Sequence, residues 1–168
     1  MGMEMEWKEQ LSVGNEMIDS DHKKLIGMVS SVERAMRAED SFALVQALKL
    51  LWVYMDVHFA NEEKIARAVK FSFDEHRLTH HYLQKEFQHL RDELEDNNIW
   101  CESAIEHFTC FLRRLLIDHI YKEDILMKPV LQTYPYDFKP GSMGGLERPS
   151  GLGGDSPHAG SGIISRST

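Results

Sequence analysis

The chain has 168 residues, of which 42% are hydrophobic and 27% charged, with nine histidines and a formal net charge of −8. That length suits one domain with a proper core, and the acidic balance excludes a phosphate-backbone partner such as nucleic acid. No run approaches the roughly 18 apolar residues of a membrane span, and the acidic start "MGMEMEWKEQ" lacks the apolar core of a secretion signal, so a cytoplasmic location with no membrane partner is expected.

Residues 1–18 read as an extended arm with packing points at Trp7, Leu11, Val13 and Ile18. From 19 to 135 a helical pattern repeats four times. The first helix is expected over 19–37, with Asp19 or Ser20 as N-cap and the stripe His22, Leu25, Val29, Val32, Met36 spaced by threes and fours. The second, over 41–66, carries Leu44, Leu48, Leu51, Met55, His58 and Glu62 on one face. The third opens on "SFDE", which fits a capping box of Ser72 and Glu75, and runs through His76, His80, Leu83, Phe87, Leu90 and Leu94. After the polar turn "EDNN" the fourth carries Ile105, Phe108, Leu112, Leu115 and His119, and stops near Pro129 or Pro135. No strand alternation competes. Short links between long amphipathic helices imply an all-α fold, an antiparallel up-down-up-down four-helix bundle. The last stretch, 136–168, is rich in Gly, Ser and Pro and is expected to be a disordered tail. Cys101 and Cys110 would lie about 180° apart on the fourth helix and roughly 13 Å along it, so they are expected to remain reduced thiols.

A core-facing stripe should be apolar, yet each of these four carries histidine or carboxylate. His22 opens the first, and His58 and Glu62 end the second at i,i+4. His76 and His80 begin the third at the same spacing, and His119 ends the fourth. In an up-down-up-down bundle those four helix ends share one level. A buried polar group without a partner costs roughly 2–7 kcal/mol, and an unpaired charge more, so six of them at one level imply a metal centre. Five imidazoles and a carboxylate are too nitrogen-rich for calcium or magnesium, and the thiolates of a structural zinc site are missing. They also exceed what one ion can use while leaving an open position. Two ions bridged by carboxylates use them naturally, and iron is the metal most often built into bundle cores this way. Asp124 is the candidate for a second bridge. It lies about 140° around an ideal helix from His119, so either Asp124 reaches round or the helix is locally irregular there, for instance at a π-bulge. In "DEHRLTHHYLQ" the same geometry makes His76 and His80 a clamp and His81, also about 140° from His76, a bystander.

The segments "VGNEMIDSDHKKL", "HFANEE", "HRLTH" and "HIYKED" together resemble the bacterial hemerythrins, with the order H … HxxxE … HxxxH … HxxxxD complete between about Trp7 and Pro129. The resemblance implies a non-haem di-iron site that binds dioxygen reversibly as a hydroperoxide. His76, His80 and His119 would hold one iron. His22 and His58 would hold the other, five-coordinate iron, and Glu62, Asp124 and an oxo or hydroxo would bridge the pair. Leu115, Leu116 and Ile120 would form the dioxygen pocket. Three positions depart from the family pattern: Leu115 stands where a tryptophan is usual, Ala66 where a methionine is, and Phe71-Ser72-Phe73 where a tyrosine-proline turn is. The smaller Leu115 implies wider access and faster autoxidation.

Three function classes follow. The first is an oxygen carrier, store or sensor, which is not an enzyme. The second is a di-iron redox enzyme acting on peroxide, nitric oxide or oxygen. Its carboxylate-rich signature, Glu-x-x-His, occurs once, at Glu86–His89, off the inward stripe, which favours binding over oxidation. The third is a signalling module read by a separate protein partner.

Overall fold

The computed structural model describes residues 6–96 and 100–141. Its four long helices are α1 (Glu16–Arg37), α2 (Ser41–Ala68), α3 (Asp74–Asp96) and α4 (Glu102–Lys122), followed by a 3-10 turn (Asp124–Met127) and the short α5 (Lys128–Leu131). The described residues contain no strand, and the architecture is an all-α four-helix bundle. Helices consecutive in sequence pack side by side and α4 returns to α1, as short links require. Two of those links are sharp turns of the same construction. Glu39 (φ 51°) and Lys70 (φ 57°) take the left-handed conformation just beyond α1 and α2. The bonds Asp40 N→Ala35 O (3.0 Å) and Phe71 N→Ala66 O (2.8 Å) then satisfy carbonyls that each helix end would leave open.

The helix starts differ from the sequence expectation, each for a local reason. α1 begins three residues early because Asn15 is its cap, accepting from the backbone N–H of Met17 (3.1 Å) and Ile18 (3.3 Å). Asp19 is thereby free for another role. It accepts from Ser12 Oγ (2.6 Å), Val13 N (2.9 Å) and Tyr136 Oη (3.1 Å), and so pins the N-terminal arm and the chain after α5 to the bundle. α3 begins after Phe73 and not Ser72, its first bond running from Arg77 N to Phe73 O (2.9 Å). Phe73 is buried and lies flat on the His76 ring (4.5 Å, 16°), which sets where the helix can start. The packed chain also continues past 135. Phe138 is buried, its carbonyl accepts from Asn15 Nδ2 (2.9 Å), and the Tyr136 carbonyl accepts from Glu16 N (2.8 Å). The rest of the expected tail, from 142 on, and the second half of the "EDNN" turn lie outside the described residues, while its first half belongs to α3.

The apolar interior is layered along the helix axes. One cluster, including Leu25, Val29, Leu51, Met55, Phe87 and Leu112, fills the middle of the bundle. A second, including Val13, Ile18, Ile65, Phe73, Met127 and Leu131, closes one end. On every helix the sequence-identified histidines and carboxylates fall between positions belonging to these two clusters. That is the level of the site.

α2 departs from one expectation in composition: it is long and apolar enough to qualify as a membrane span by those criteria alone. Its inward residues belong to the bundle core, and its apolar character is doubled by a second, outward face.

Candidate metal centre

The structure brings all seven sequence-identified donors together. Their atoms form two groups, one of Glu62, His76, His80, His119 and Asp124, the other of His22, His58, Glu62 and Asp124, with the two carboxylates common to both. All seven are buried, Glu62 and Asp124 completely. Asp124 reaches the site because α4 ends at Lys122 and the backbone tightens into a 3-10 turn beginning at Asp124. Of the two routes the sequence left open, the irregular one is found, and it is a 3-10 turn, not a π-bulge.

Distances within the cluster match donors of a common ion. Asp124 lies 3.0 Å from His22 Nε2, 3.0 Å from His76 Nε2 and 2.9 Å from His119 Nε2. Glu62 lies 3.1 Å from His80 Nε2 and 3.6 Å from both His58 and His76 Nε2. Metal–ligand bonds of about 2.0–2.2 Å set at right angles would hold neighbouring donor atoms about 3 Å apart. Despite these short approaches, both oxygens of Glu62 and of Asp124, and the Nε2 atoms of His22, His58 and His76, make no hydrogen bond of proper geometry. Buried polar atoms are almost always satisfied, and so many orphans in one place fit a cation held between them.

Electrostatics agree. Burial and the Asp124 charge push the Glu62 carboxyl up, but the facing histidines His58, His76 and His80 outweigh them and hold it below the usual carboxylate range. Asp124 is likewise depressed, with burial opposed by His119, His22 and His76. Burial lowers His76, yet Asp124 and Glu62 together raise it to about 9. His80, for which burial outweighs Glu62, falls to about 4. Two carboxylates held ionised in a dry site demand positive charge beside them.

Several residues that sequence reasoning passed over hold the donors in place. Asp21 lies behind His58, its Oδ2 3.7 Å from His58 Nδ1, and accepts from Tyr54 Oη (2.6 Å) and Asn61 Nδ2 (2.9 Å). A carboxylate behind a ligating imidazole fixes which ring nitrogen faces the metal. Burial raises the Asp21 carboxyl, but His58, Asn61 and Tyr54 together bring it down to about 2. Phe59 stacks on the His80 ring (3.7 Å, 11°) as Phe73 does on His76, so two of the three imidazoles in the larger group have their planes set by an aromatic face. The signal for Asp21 was present in "SDH", but an acidic residue beside a histidine on a helix start reads as a first-turn charge.

On the inner side of the site lies a cavity of about 30 Å³. Leu115 and Leu116 line it with Leu25, Val29, Phe59 and Phe87, among others, and its polar lining is limited to His58 and His119. Ile120, the third residue assigned to the pocket from sequence, is fully buried elsewhere, against Leu11 and Ile26. A larger groove of about 720 Å³ opens between α3 and α4 on the outer side. Leu83, Leu115 and His119 line both spaces and form the partition between them. His81 is exposed, bonded to Gln84 (3.2 Å), and takes no part in the cluster, while His89 is exposed at the surface. Cys101 and Cys110 are free and exposed.

Comparison with known proteins agrees with this geometry. The family model described as "Hemerythrin HHE cation binding domain" matches residues 13–131. Among curated proteins, the bacteriohemerythrin of Pseudomonas aeruginosa is 24% identical over 119 residues, covering 70% of this chain and 75% of its own. The bacteriohemerythrin of Stenotrophomonas maltophilia is similar to the same degree and extent. No solved structure matches. With the matched segment spanning the arm's end, all four long helices and α5, and with a buried His/Glu/Asp cluster able to bind metal at its centre, the chain belongs to the hemerythrin family.

Proposed function

We propose that this protein is a non-haem di-iron protein that binds dioxygen reversibly, as a carrier, store or sensor. The observation that carries the reading is the pair of donor groups sharing Glu62 and Asp124, set beneath a small apolar cavity. In this reading His76, His80 and His119 hold one iron, and His22 and His58 hold the other. Glu62 and Asp124, common to both donor groups, would be shared between the two ions. When bound, the iron pair would supply the electrons for dioxygen, and the chain supplies position and dryness. Three histidines against two leave the His22/His58 side one donor short, and the cavity reaches that side through His58. With a volume of about 30 Å³, the cavity has room for one diatomic molecule. No acid or base other than His58 and His119 lines it. With both of those imidazoles assigned to metal in this reading, the cavity offers no further acid or base to turn oxygen over.

The test is anaerobic reduction of the iron-loaded protein, followed by repeated addition and removal of dioxygen with the visible spectrum recorded. A band that appears and disappears over several cycles supports the reading. Irreversible oxidation, or sustained turnover of peroxide or nitric oxide, would favour the redox enzyme instead.

Two further outcomes are expected on this reading. Asp21→Ala removes the carboxylate behind His58 and should weaken iron binding by about 10–100-fold, as loss of such supporting groups does. Competition with a chelator measures this directly. Leu115→Trp fills the partition between groove and cavity, and should slow decay of the oxygenated spectrum several-fold. A decay rate unchanged by the substitution would mean that access runs elsewhere.

A further inference from the structure

The outward face of α2 carries a row of residues at coiled-coil spacing that no other helix among the described residues covers. Gln46, Leu50, Val53, Val57 and Ala60 follow one another at spacings of four, three, four and three, and all five are exposed on the single chain. Leu50, Val53 and Val57 are 60%, 52% and 46% exposed. This is the two-per-heptad spacing of a helix that meets one other helix along a narrow line. At about 100° per residue the seam lies opposite the inward row Leu44, Leu48, Leu51 and Met55. The flanks of α2 are already occupied. Tyr54 reaches α1 through Asp21, and Asp56 and Trp52 meet Gln84 and Phe87 of α3. Among the described residues no other helix covers this seam, although Val53 and Lys49 at its edge also line a groove with Arg91, Leu94 and Trp100.

Charge beside the seam selects the partner and its direction. Lys49 and Asp56 sit one heptad apart on the same flank. If a second α2 lies antiparallel, Leu50 meets Val53 of the second copy and Val53 meets its Leu50. In that register each Lys49 faces an Asp56 of the other chain, twice over by symmetry. A parallel arrangement would set Lys49 beside Tyr54 and Asp56 beside Asn61, and match no charge. One Asp56 oxygen accepts from Gln84 Nε2 (2.6 Å), which leaves the second oxygen and the charge available. A surface complementary to itself under a two-fold rotation is what an isologous dimer requires. We propose that two copies of this chain associate through an antiparallel pairing of their α2 seams.

Sedimentation equilibrium of the full-length, iron-loaded chain up to a few hundred micromolar tests this. A two-chain mass is expected, falling to one chain in Val53→Glu with circular dichroism and iron content unchanged. Lys49→Asp should weaken association by at least about tenfold through like charges at both flanks, and adding Asp56→Lys in the same chain should restore it. A wild-type mass of one chain at the highest concentration would overturn the proposal. So would a dimer that Val53→Glu leaves intact, or a double variant as weak as Lys49→Asp alone.

Discussion

Glu62→Ala is expected to empty the whole centre, taking iron from about two per chain to near zero by elemental analysis. Glu62 is common to both donor groups and completely buried, with its oxygens 3.1–3.9 Å from four histidines, His22, His58, His76 and His80. Removing it leaves Asp124 as the lone anion facing five imidazoles, too little charge to hold two cations in a dry site. The effect should separate cleanly from damage at the surface. His81→Ala, one residue from His80 but exposed, should keep its full iron content. His22→Ala should spare the group of His76, His80 and His119 and lose the ion on the other side. Full iron content in Glu62→Ala would remove the shared carboxylate from the account, and iron loss in His81→Ala would overturn the assignment of inward and outward faces on α3.

The largest effect on stability is expected from Phe87→Ala, at about 3–5 kcal/mol. Phe87 is among the largest fully buried side chains, stacks on Trp52 (5.7 Å, 25°) and forms part of the cavity wall. Truncation removes the transfer energy of the ring and opens a void beside a space that already exists, so the surrounding helices have little chance to close over it. A loss of that size is a large part of the 5–15 kcal/mol typical of a folded domain. It would appear as a lower urea midpoint with an unchanged slope, measured on the metal-free protein so that iron binding does not add to either variant. A loss near 1 kcal/mol would mean that α2 and α3 collapse into the gap.

The inward stripes were legible because helical periodicity is strict. Every residue read onto the stripes of α1, α2 and α3 is buried, and the polar members of those stripes are the ones that converge. Their legibility came from a conflict, since histidine and glutamate at positions owed to leucine need a reason. Asp124 was legible only with a geometric debt, because spacing counts residues and does not show where a helix tightens into a 3-10 turn. The residues that hold the donors were not legible. Asp21, Tyr54 and Asn61 come from two helices, and their contact depends on how α1 rotates against α2. Helix starts failed for a related reason. The sequence reading offered Asp19 or Ser20 as the cap, whereas Asn15 caps α1 and Asp19 is engaged by Ser12 and Val13 of the arm. Ile120 was assigned to the pocket by the family resemblance, but one residue past His119 the helix has turned about 100°, and that turn carries it to Leu11 and Ile26. The outer face of α2 was hidden by its inner one: two apolar faces on one helix read as a single apolar helix.

The central claim is that two iron ions share this cluster across Glu62 and Asp124. Diffraction data collected on the iron-loaded protein just above and below the iron absorption edge test it most directly. Two anomalous peaks are expected roughly 3–4 Å apart, one among His76, His80 and His119 and one beside His22 and His58, with the two carboxylates between them. A single peak, or a signal at the zinc edge alone, would contradict it.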